Sequence, residues 1–453
     1  MPTSTCRPGP DAQPIDGGTG GIGDDELLDT LEREAFAYFP VTDLPTGPAP
    51  DSTRPGAPIS IAGVGLELTA SIAAVARGWI DRQQARRHAL ATARLFARAR
   101  QAPERDATGH RGFFYHFLDA QTLRRARRCE LSSIDTGLLA AGLLTARQFF
   151  DRDDAEEAEL RATADAIYRR IDWRWMLDGG PTLSHGWTPE RGFLRARWAG
   201  YTEALLLYVL ACGSPSFAIP PECYAASTAE YRWKTIYGHE LLYAGPLFIH
   251  QLPQCWLDLR GLRDRWLGER GLDYFENSRR ATQIQRRYAI RNPRQFRHYG
   301  PKHWGLSASD GPGPAVHHVD GRRVRFWDYR ARGVPHGPDD GTVAPWAAVT
   351  SLPFAPELVI PTIRAFYADH LDDGVIDRTR RRPFGFEATV NFTFPNEDGS
   401  HWCSPYNYAI NQGPLVVMVE NYRTELIWKL LRSCDYVIAG LRAMGFSGGW
   451  LAG

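Results

Sequence analysis

The sequence predicts an all-α fold of about twelve helices arranged as two concentric rings. Three observations carry that expectation. Apolar residues recur at helical spacing along most of the chain, strand signals concentrate in one stretch at Ala315–Tyr329, and the segments between helices are long and aromatic-rich. A bundle needs only short connections, so long loops favour rings over a bundle.

Taken in order, Asp24 and Asp25 can cap a first helix in which Leu27, Leu28, Leu31, Phe36 and Phe39 recur. Further helices are expected at about 60–77, 81–101, 131–150, 154–171, 201–212, 221–231, 248–266, 273–290, 345–353, 356–370 and 414–443, the last with a break near Ser433. Glycines such as Gly78 and Gly213 stand where several of them stop. Within Ala315–Tyr329, Asp320-Gly321 lies between two β-prone runs, which predicts a small β-hairpin inside a loop.

Residues 1–23 are rich in Pro, Gly, Asp and Thr and are expected to form a flexible leader. Gly17–Gly23 superficially matches a phosphate-cradling loop, but no strand signal precedes it and no lysine follows. No comparable linker divides the rest, so residues 24–453 are expected to form one domain. The competing division is two helical halves joined at Ala218–Glu222, where Pro220-Pro221 interrupts the pattern.

A net charge of +1 supplies no field for neutralising phosphates, which argues against nucleic acid as a partner. No stretch reaches the roughly 18 apolar residues of a membrane span. The seven cysteines form no Cys-x-x-Cys pair, so neither a disulfide framework nor a zinc ribbon is expected. That usage, with no apolar signal region at the start, suggests a cytoplasmic protein, or a periplasmic one if the chain has been trimmed. His317-His318 in the hairpin reads as exposed strand residues rather than as a metal site. No metal and no cofactor is expected, and oligomeric state is left open.

Carboxylates at helix starts are more informative. Glu203, in Tyr201-Thr202-Glu203, opens a helix whose next residues are nearly all apolar. Such a helix is buried all round, so its first turn is where an acid can meet a cleft with its pKa raised for proton donation. The alternative is an acid that only complements the helix dipole. In Glu130-Leu-Ser-Ser-Ile-Asp135 the first acid precedes a helix and the second lies in its first turns. Asp135 either accepts loop hydrogen bonds or holds a water or sugar hydroxyl. Aromatic residues gather outside the helices: Phe113–Phe117 around His116, Trp187, Trp198, Trp304, Phe326-Trp327, Trp346, Trp402 and Tyr406. Aromatic faces beside acids and amides are how proteins grip sugar rings, although several of these residues must simply pack the loops.

At these residues the chain resembles a known family. Gly112-Phe-Phe-Tyr-His-Phe-Leu-Asp119, Glu130-Leu-Ser-Ser-Ile-Asp-Thr136, Gly180-Pro-Thr-Leu-Ser-His-Gly-Trp187, Trp198-Ala-Gly-Tyr-Thr-Glu203, Tyr243-Ala-Gly-Pro-Leu-Phe-Ile-His250, Trp304-Gly-Leu-Ser-Ala-Ser-Asp-Gly-Pro312, Asp339-Asp-Gly-Thr-Val-Ala-Pro345, Asn411-Gln-Gly-Pro414 and Glu420-Asn-Tyr-Arg423 are similar, in order, to motifs of the bacterial glucoamylase-like family. That family includes glycoside hydrolase family 144 beta-1,2-glucanases and a domain of cyclic beta-1,2-glucan synthases. The resemblance implies an (alpha/alpha)6 toroid and a glycoside hydrolase cleaving a beta-linked glucan or oligosaccharide, of beta-1,2 type, by carboxylate general acid/base catalysis. The family's name is historical and does not by itself establish alpha-glucan cleavage.

The resemblance further implies Glu203 as general acid, Asp135 as a second carboxylate of the cleft, and His116, Trp304, Asp310 and Asp340 on the sugar-binding face. Glu130, Trp198, Tyr201, Glu387 and Trp402 complete the expected substrate contacts. One motif departs: many relatives carry Gly-Phe-Tyr-Asp-Ala-Phe-Asn where this chain has Gly385-Phe-Glu-Ala-Thr-Val-Asn391, so Ala388 replaces an acid and Glu387 introduces one. The alternatives to a hydrolase are a transglycosylase on the same substrates and a non-catalytic glucan-binding protein. A polysaccharide lyase ranks lower, because it needs a uronate substrate. These acids are expected to converge on one concave face.

Overall fold

The computed structural model describes residues 22–41, 47–372, 384–396 and 400–452. Apart from Ile22 and Gly23, the expected leader lies outside them. The described residues are helix-rich. In chain order the helices are α1 (Asp24–Phe36), α2 (Ile61–Ala76), α3 (Arg82–Arg98), α4 (Ser133–Phe149), α5 (Ala155–Arg169), α6 (Leu205–Cys212), α7 (Glu222–Thr228), α8 (Phe248–Gln251), α9 (Arg265–Gly268), α10 (Tyr274–Arg291), α11 (Pro345–Thr350), α12 (Pro356–Asp372), α13 (Ala409–Thr424), α14 (Leu426–Arg432) and α15 (Asp435–Ala443).

Burial alternates along this series. In α2, α4, α6, α11 and α13 nearly every residue is buried, whereas α3, α5 and α10 bury one face and expose arginines and glutamates on the other. Helices buried all round must be flanked on every side by other elements. Accordingly α2 packs on both α4 and α13, α4 on α6, and α13 on α11, while α3 and α5 pack beside them with their polar faces outward.

The α2–α4 contact depends on two glycines. A Cβ on Gly65 would lie 2.2 Å from the Leu138 carbonyl oxygen, and one on Gly142 would lie 2.2 Å from that of Gly65. Side chains at these positions would force the two helices apart.

Three expectations need correction. The helix expected at 248–266 is replaced by α8, a 3-10 turn over Leu252–Cys255, a two-residue strand and α9. Pro253 lacks the N–H that would continue the α-helical ladder. The long C-terminal helix begins earlier, at Ala409, and has an additional break at Glu425, whose φ is +61°; the break expected near Ser433 is present, between Arg432 and Asp435. Asp24 and Asp25 do not cap α1; they occupy its first turn, after Gly23.

Small antiparallel sheets are more numerous than expected. One links Gly109–His110, Phe113–Tyr115, Leu131–Ser132, Gly186–Thr188 and Gly192–Phe193 in that order, and another links Thr342–Val343, Val390–Asn391 and Trp402–Cys403. Most of these strands are two residues long, too short to show alternation in sequence. The expected hairpin is present: Ala315–Val319 pairs with Arg322–Phe326, Ala315 opposite Phe326, around Asp320 and Gly321 with φ of +49° and +76°. Among the described residues no helix is long and apolar enough to cross a membrane, and Cys129, Cys212, Cys223, Cys255, Cys403 and Cys434 are free.

Candidate active site

The strand Leu131–Ser132 is held between Phe113–Tyr115 and Gly186–Thr188, and it delivers the chain directly into α4. Ser132 caps that helix: its Oγ accepts the Asp135 N–H at 3.1 Å and donates to the Asp135 carboxylate. His116 lies alongside, its ring stacked on Phe117 with centroids 3.9 Å apart. Its Nδ1 is 3.1 Å from Glu130 Oε1 and its Nε2 is 3.7 Å from Asp135 Oδ2. Burial alone would lower the His116 pKa, but Asp135, Glu130 and Asp51 together push it up to about 9. The same hydrogen bond from His116 holds the Glu130 carboxyl below its usual range.

Glu203 sits in the turn immediately before α6, which starts at Leu205 rather than at Tyr201. Trp198 ties this turn to the start of α4: its Nε1 donates to Ser133 Oγ at 2.8 Å, and its ring stacks on His185 at 3.7 Å between centroids. Tyr201 is held by His250. The His250 Nε2 lies 3.1 Å from the Ala244 carbonyl oxygen and therefore donates, which leaves Nδ1 to accept from the Tyr201 hydroxyl, also at 3.1 Å. Burial lowers the His250 pKa to about 4, consistent with that neutral ring. The Glu203 pKa is pushed up to about 7, by removal from solvent first and by the Asp135 charge in addition. The starts of two neighbouring buried helices thus each carry an acid, and the charge on Asp135 acts on Glu203.

The far wall carries Asp310. Its carboxylate accepts from Ser404 Oγ at 2.5 Å, Thr389 Oγ1 at 3.0 Å and the Tyr408 hydroxyl at 3.3 Å. Burial nevertheless raises its pKa. Asp51, in the loop before α2, faces His116, Arg127, Asp135 and Arg54, and burial raises its pKa as well. Glu67, wholly buried in α2, accepts the Ala49 N–H at 3.0 Å, and Asp51 N–H bonds the Pro58 carbonyl at 2.7 Å, so this loop is fixed from both sides. His116, Glu130 and Asp135 thus form one contiguous group, and the charges of Asp135, Glu203, Asp51 and Asp310 act together on Tyr329.

Two expected sugar contacts are corrected. Trp304 is fully buried, with its Nε1 donating to Thr362 Oγ1 at 2.9 Å; it packs among Leu306, Ala348 and their neighbours and has no surface to offer a ligand. Asp340 is also fully buried, with its Oδ1 2.7 Å from Arg332 Nε. A carboxylate already paired to a guanidinium and closed off from solvent holds structure together. Phe113, Phe114, Tyr115 and Phe326 belong to the core for the same reason. Trp402 is half-buried on the strand that pairs with Val390–Asn391, and Glu387 is half-buried in the loop leading into that sheet.

Asp51 and Tyr329 were not anticipated. Neither lies on a helix or in a repeated pattern, and the one signal available for Tyr329 was its place just beyond the hairpin. By spacing, His116, Glu130 and Asp135 could hold a cation, their ligand atoms lying within 4.8 Å of one another. Binding one there would require His116 to give up its proton, against the pull of the same acids. His317 and His318 join no such group among the described residues.

Comparison with known proteins agrees with the fold and the motifs. A family model described as putative glucoamylase matches residues 195–435. An exo beta-1,2-glucooligosaccharide sophorohydrolase (non-reducing end) of Parabacteroides distasonis is 28% identical over 95% of this chain, which spans 59% of that protein's length. The crystal structure of a putative glucoamylase from Bacteroides uniformis superposes with a TM-score of 0.81 at 30% identity, covering 95% of this chain and 99% of the other. An endo-beta-1,2-glucanase from Chitinophaga pinensis, solved with sophorotriose and glucose, gives 0.79 at 27% identity, covering 95% of this chain and all of that one (100%). With the matched model spanning more than half the chain, and with the motifs in order from Gly112 to Arg423, the chain belongs to the glucoamylase-like family.

Proposed function

We propose that this chain is a glycoside hydrolase that cleaves beta-1,2-linked glucans or their oligosaccharides. The observation that carries the reading is Glu203: a buried acid, its pKa raised to about 7, with the Asp135 charge acting on it. A carboxyl with that pKa is protonated over much of the neutral range and can donate to a departing glycosidic oxygen. In this reading Asp135 activates the attacking water, with His116 and Ser132 fixing its orientation. Similarity to the sophorohydrolase and the endo-beta-1,2-glucanase supports the substrate class.

The architecture proposed with this activity is one (alpha/alpha)6 toroid over residues 24–453, preceded by a leader. Its support is the alternation of wholly buried and one-sided helices, with α2, α4, α6, α8, α11 and α13 as the inner ring. The Gln251 side chain of α8 donates to the Ala347 carbonyl of α11 at 2.6 Å, and the Tyr201–His250 bond joins the start of α6 to α8.

The test is product analysis with linear and cyclic beta-1,2-glucan, beta-1,3-glucan and an alpha-1,4-glucan. Release of short beta-1,2-oligosaccharides with a matching rise in reducing ends supports hydrolysis. Longer products without that rise indicate transglycosylation, and binding without products indicates a glucan-binding protein. The anomer first released, read by NMR, distinguishes inversion from retention.

A further inference from the structure

Beyond the hairpin the chain forms an arch from Trp327 to Arg332, and its two ends are pinned by one buried ion pair. Arg332 is 1% exposed. Its Nε and Nη2 donate to the two oxygens of Asp340 at 2.7 and 2.9 Å. Its Nη1 donates to the carbonyls of Ser309 and Asp310 at 2.9 and 3.2 Å, and Nη2 also reaches those of Trp327 and Asp328 at 3.1 and 3.2 Å. Asp340 Oδ2 accepts the Trp327 N–H at 3.0 Å. Arg330–Ala331 then pairs with Ala308–Ser309, which locks the arch to the strand leading into Asp310. The approach is close enough that a Cβ on Gly311 would lie 2.1 Å from Arg332 Nη2.

At the apex stands Tyr329. It is 68% exposed, the most exposed large apolar side chain among the described residues. Partial withdrawal from bulk solvent and the charges of Glu203, Asp135, Asp51 and Asp310 raise its pKa, so the hydroxyl stays neutral. A bare aromatic face on a rigid backbone, within reach of the charges of four acids from separate segments, matches what a sugar ring needs. Its apolar face packs on the aromatic ring and its hydroxyls meet the polar groups around it.

We propose that Tyr329 is a substrate-contacting residue of this cleft, packing its ring on a sugar unit beside the bond that breaks and donating its hydroxyl to that sugar. The buried Arg332–Asp340 pair holds the arch that presents it. This inference rests on the glucan-hydrolase reading above.

The experiment is steady-state kinetics on linear beta-1,2-glucan with wild type, Tyr329→Ala, Tyr329→Phe and, as a control, Tyr422→Ala. Tyr422 is also exposed but lies near the far end of α13. Because Tyr329 is exposed, its variants should keep the wild-type melting temperature. Tyr329→Ala is expected to raise KM roughly 3- to 10-fold with kcat within about twofold, as expected for one lost stacking contact, and Tyr329→Phe to raise it less. Tyr422→Ala should leave both constants unchanged. If wild type cleaves the glucan and Tyr329→Ala has the wild-type KM, the Tyr329 contact is refuted while the hydrolase reading stands. If wild type releases no product from any glucan, the hydrolase reading fails and the inference with it.

Discussion

Asp135 lies in the first turn of one wholly buried helix and Glu203 in the turn before another, and the Asp135 charge adds to burial in resisting ionisation of Glu203. On the proposed reading this makes Glu203 an acid donor in the neutral range, its raised pKa coming from burial and from Asp135.

The first expected consequence concerns rate. A donor with a pKa of about 7 must lose its proton as pH rises through that value. Above it, kcat/KM for wild type should fall about tenfold per pH unit, since that ratio follows the free enzyme. A profile measured on beta-1,2-glucan that stays level well into the alkaline range would mean that Glu203 is not the donor.

Stability should respond to the same residue in a defined direction. The folded-state pKa of Glu203 is raised from 4.5 to about 7, so the folded protein holds a proton that the unfolded chain has already released. Stability therefore falls as pH rises across that window, and the penalty is complete above it. Glu203→Gln removes the penalty. Its melting temperature should exceed that of wild type at about pH 8 and match it at about pH 4. Thermal unfolding at the two pH values checks this, and a lower melting temperature for the variant at the alkaline value would contradict it.

His116 should behave in the opposite sense. Its pKa is raised from 6.5 to about 9, so its ion pairing stabilises the fold fully below 6.5 and is lost as pH rises through 9. His116→Gln should thus destabilise the protein more at about pH 6 than at about pH 10, and should lower activity by disturbing Glu130 and Asp135. Denaturant unfolding at both pH values provides the comparison; equal losses would show that packing on Phe117, not charge, is what His116 contributes.

Asp340 separates a structural role from a binding one. Removing it leaves Arg332 buried without its carboxylate, so Asp340→Ala should cost about 3–5 kcal/mol of folding stability. Urea titration measures this. A variant of wild-type stability that had lost sugar binding would restore Asp340 to the cleft surface.

Much of the helical plan was legible because burial leaves a trace in composition. Leu205–Cys212 is apolar on every side, so its all-round burial could be read directly, and Glu203 and Asp135 stood out as acids at the heads of such helices. The hairpin was legible because Asp320-Gly321 can adopt positive φ at both turn positions. Trp304 and Asp340 were misread for one shared reason: a buried tryptophan with its N–H satisfied and a buried aspartate on an arginine look in sequence like surface aromatics and acids in a loop. Asp51 and Tyr329 left no trace, because their places in the cleft depend on contacts from distant segments, Glu67 with Ala49 and Arg332 with Asp340. Pro253 stands inside the helix expected over 248–266 and ends its α-helical ladder after α8.

The most direct test of the proposed chemistry is the turnover of linear beta-1,2-glucan by wild type and by Glu203→Gln, measured as reducing ends released per enzyme near pH 6, about one unit below the Glu203 pKa. Proton donation by Glu203 predicts steady release by wild type and a loss of at least about 100-fold in the variant, with its fold intact. Turnover by Glu203→Gln close to that of wild type would contradict it.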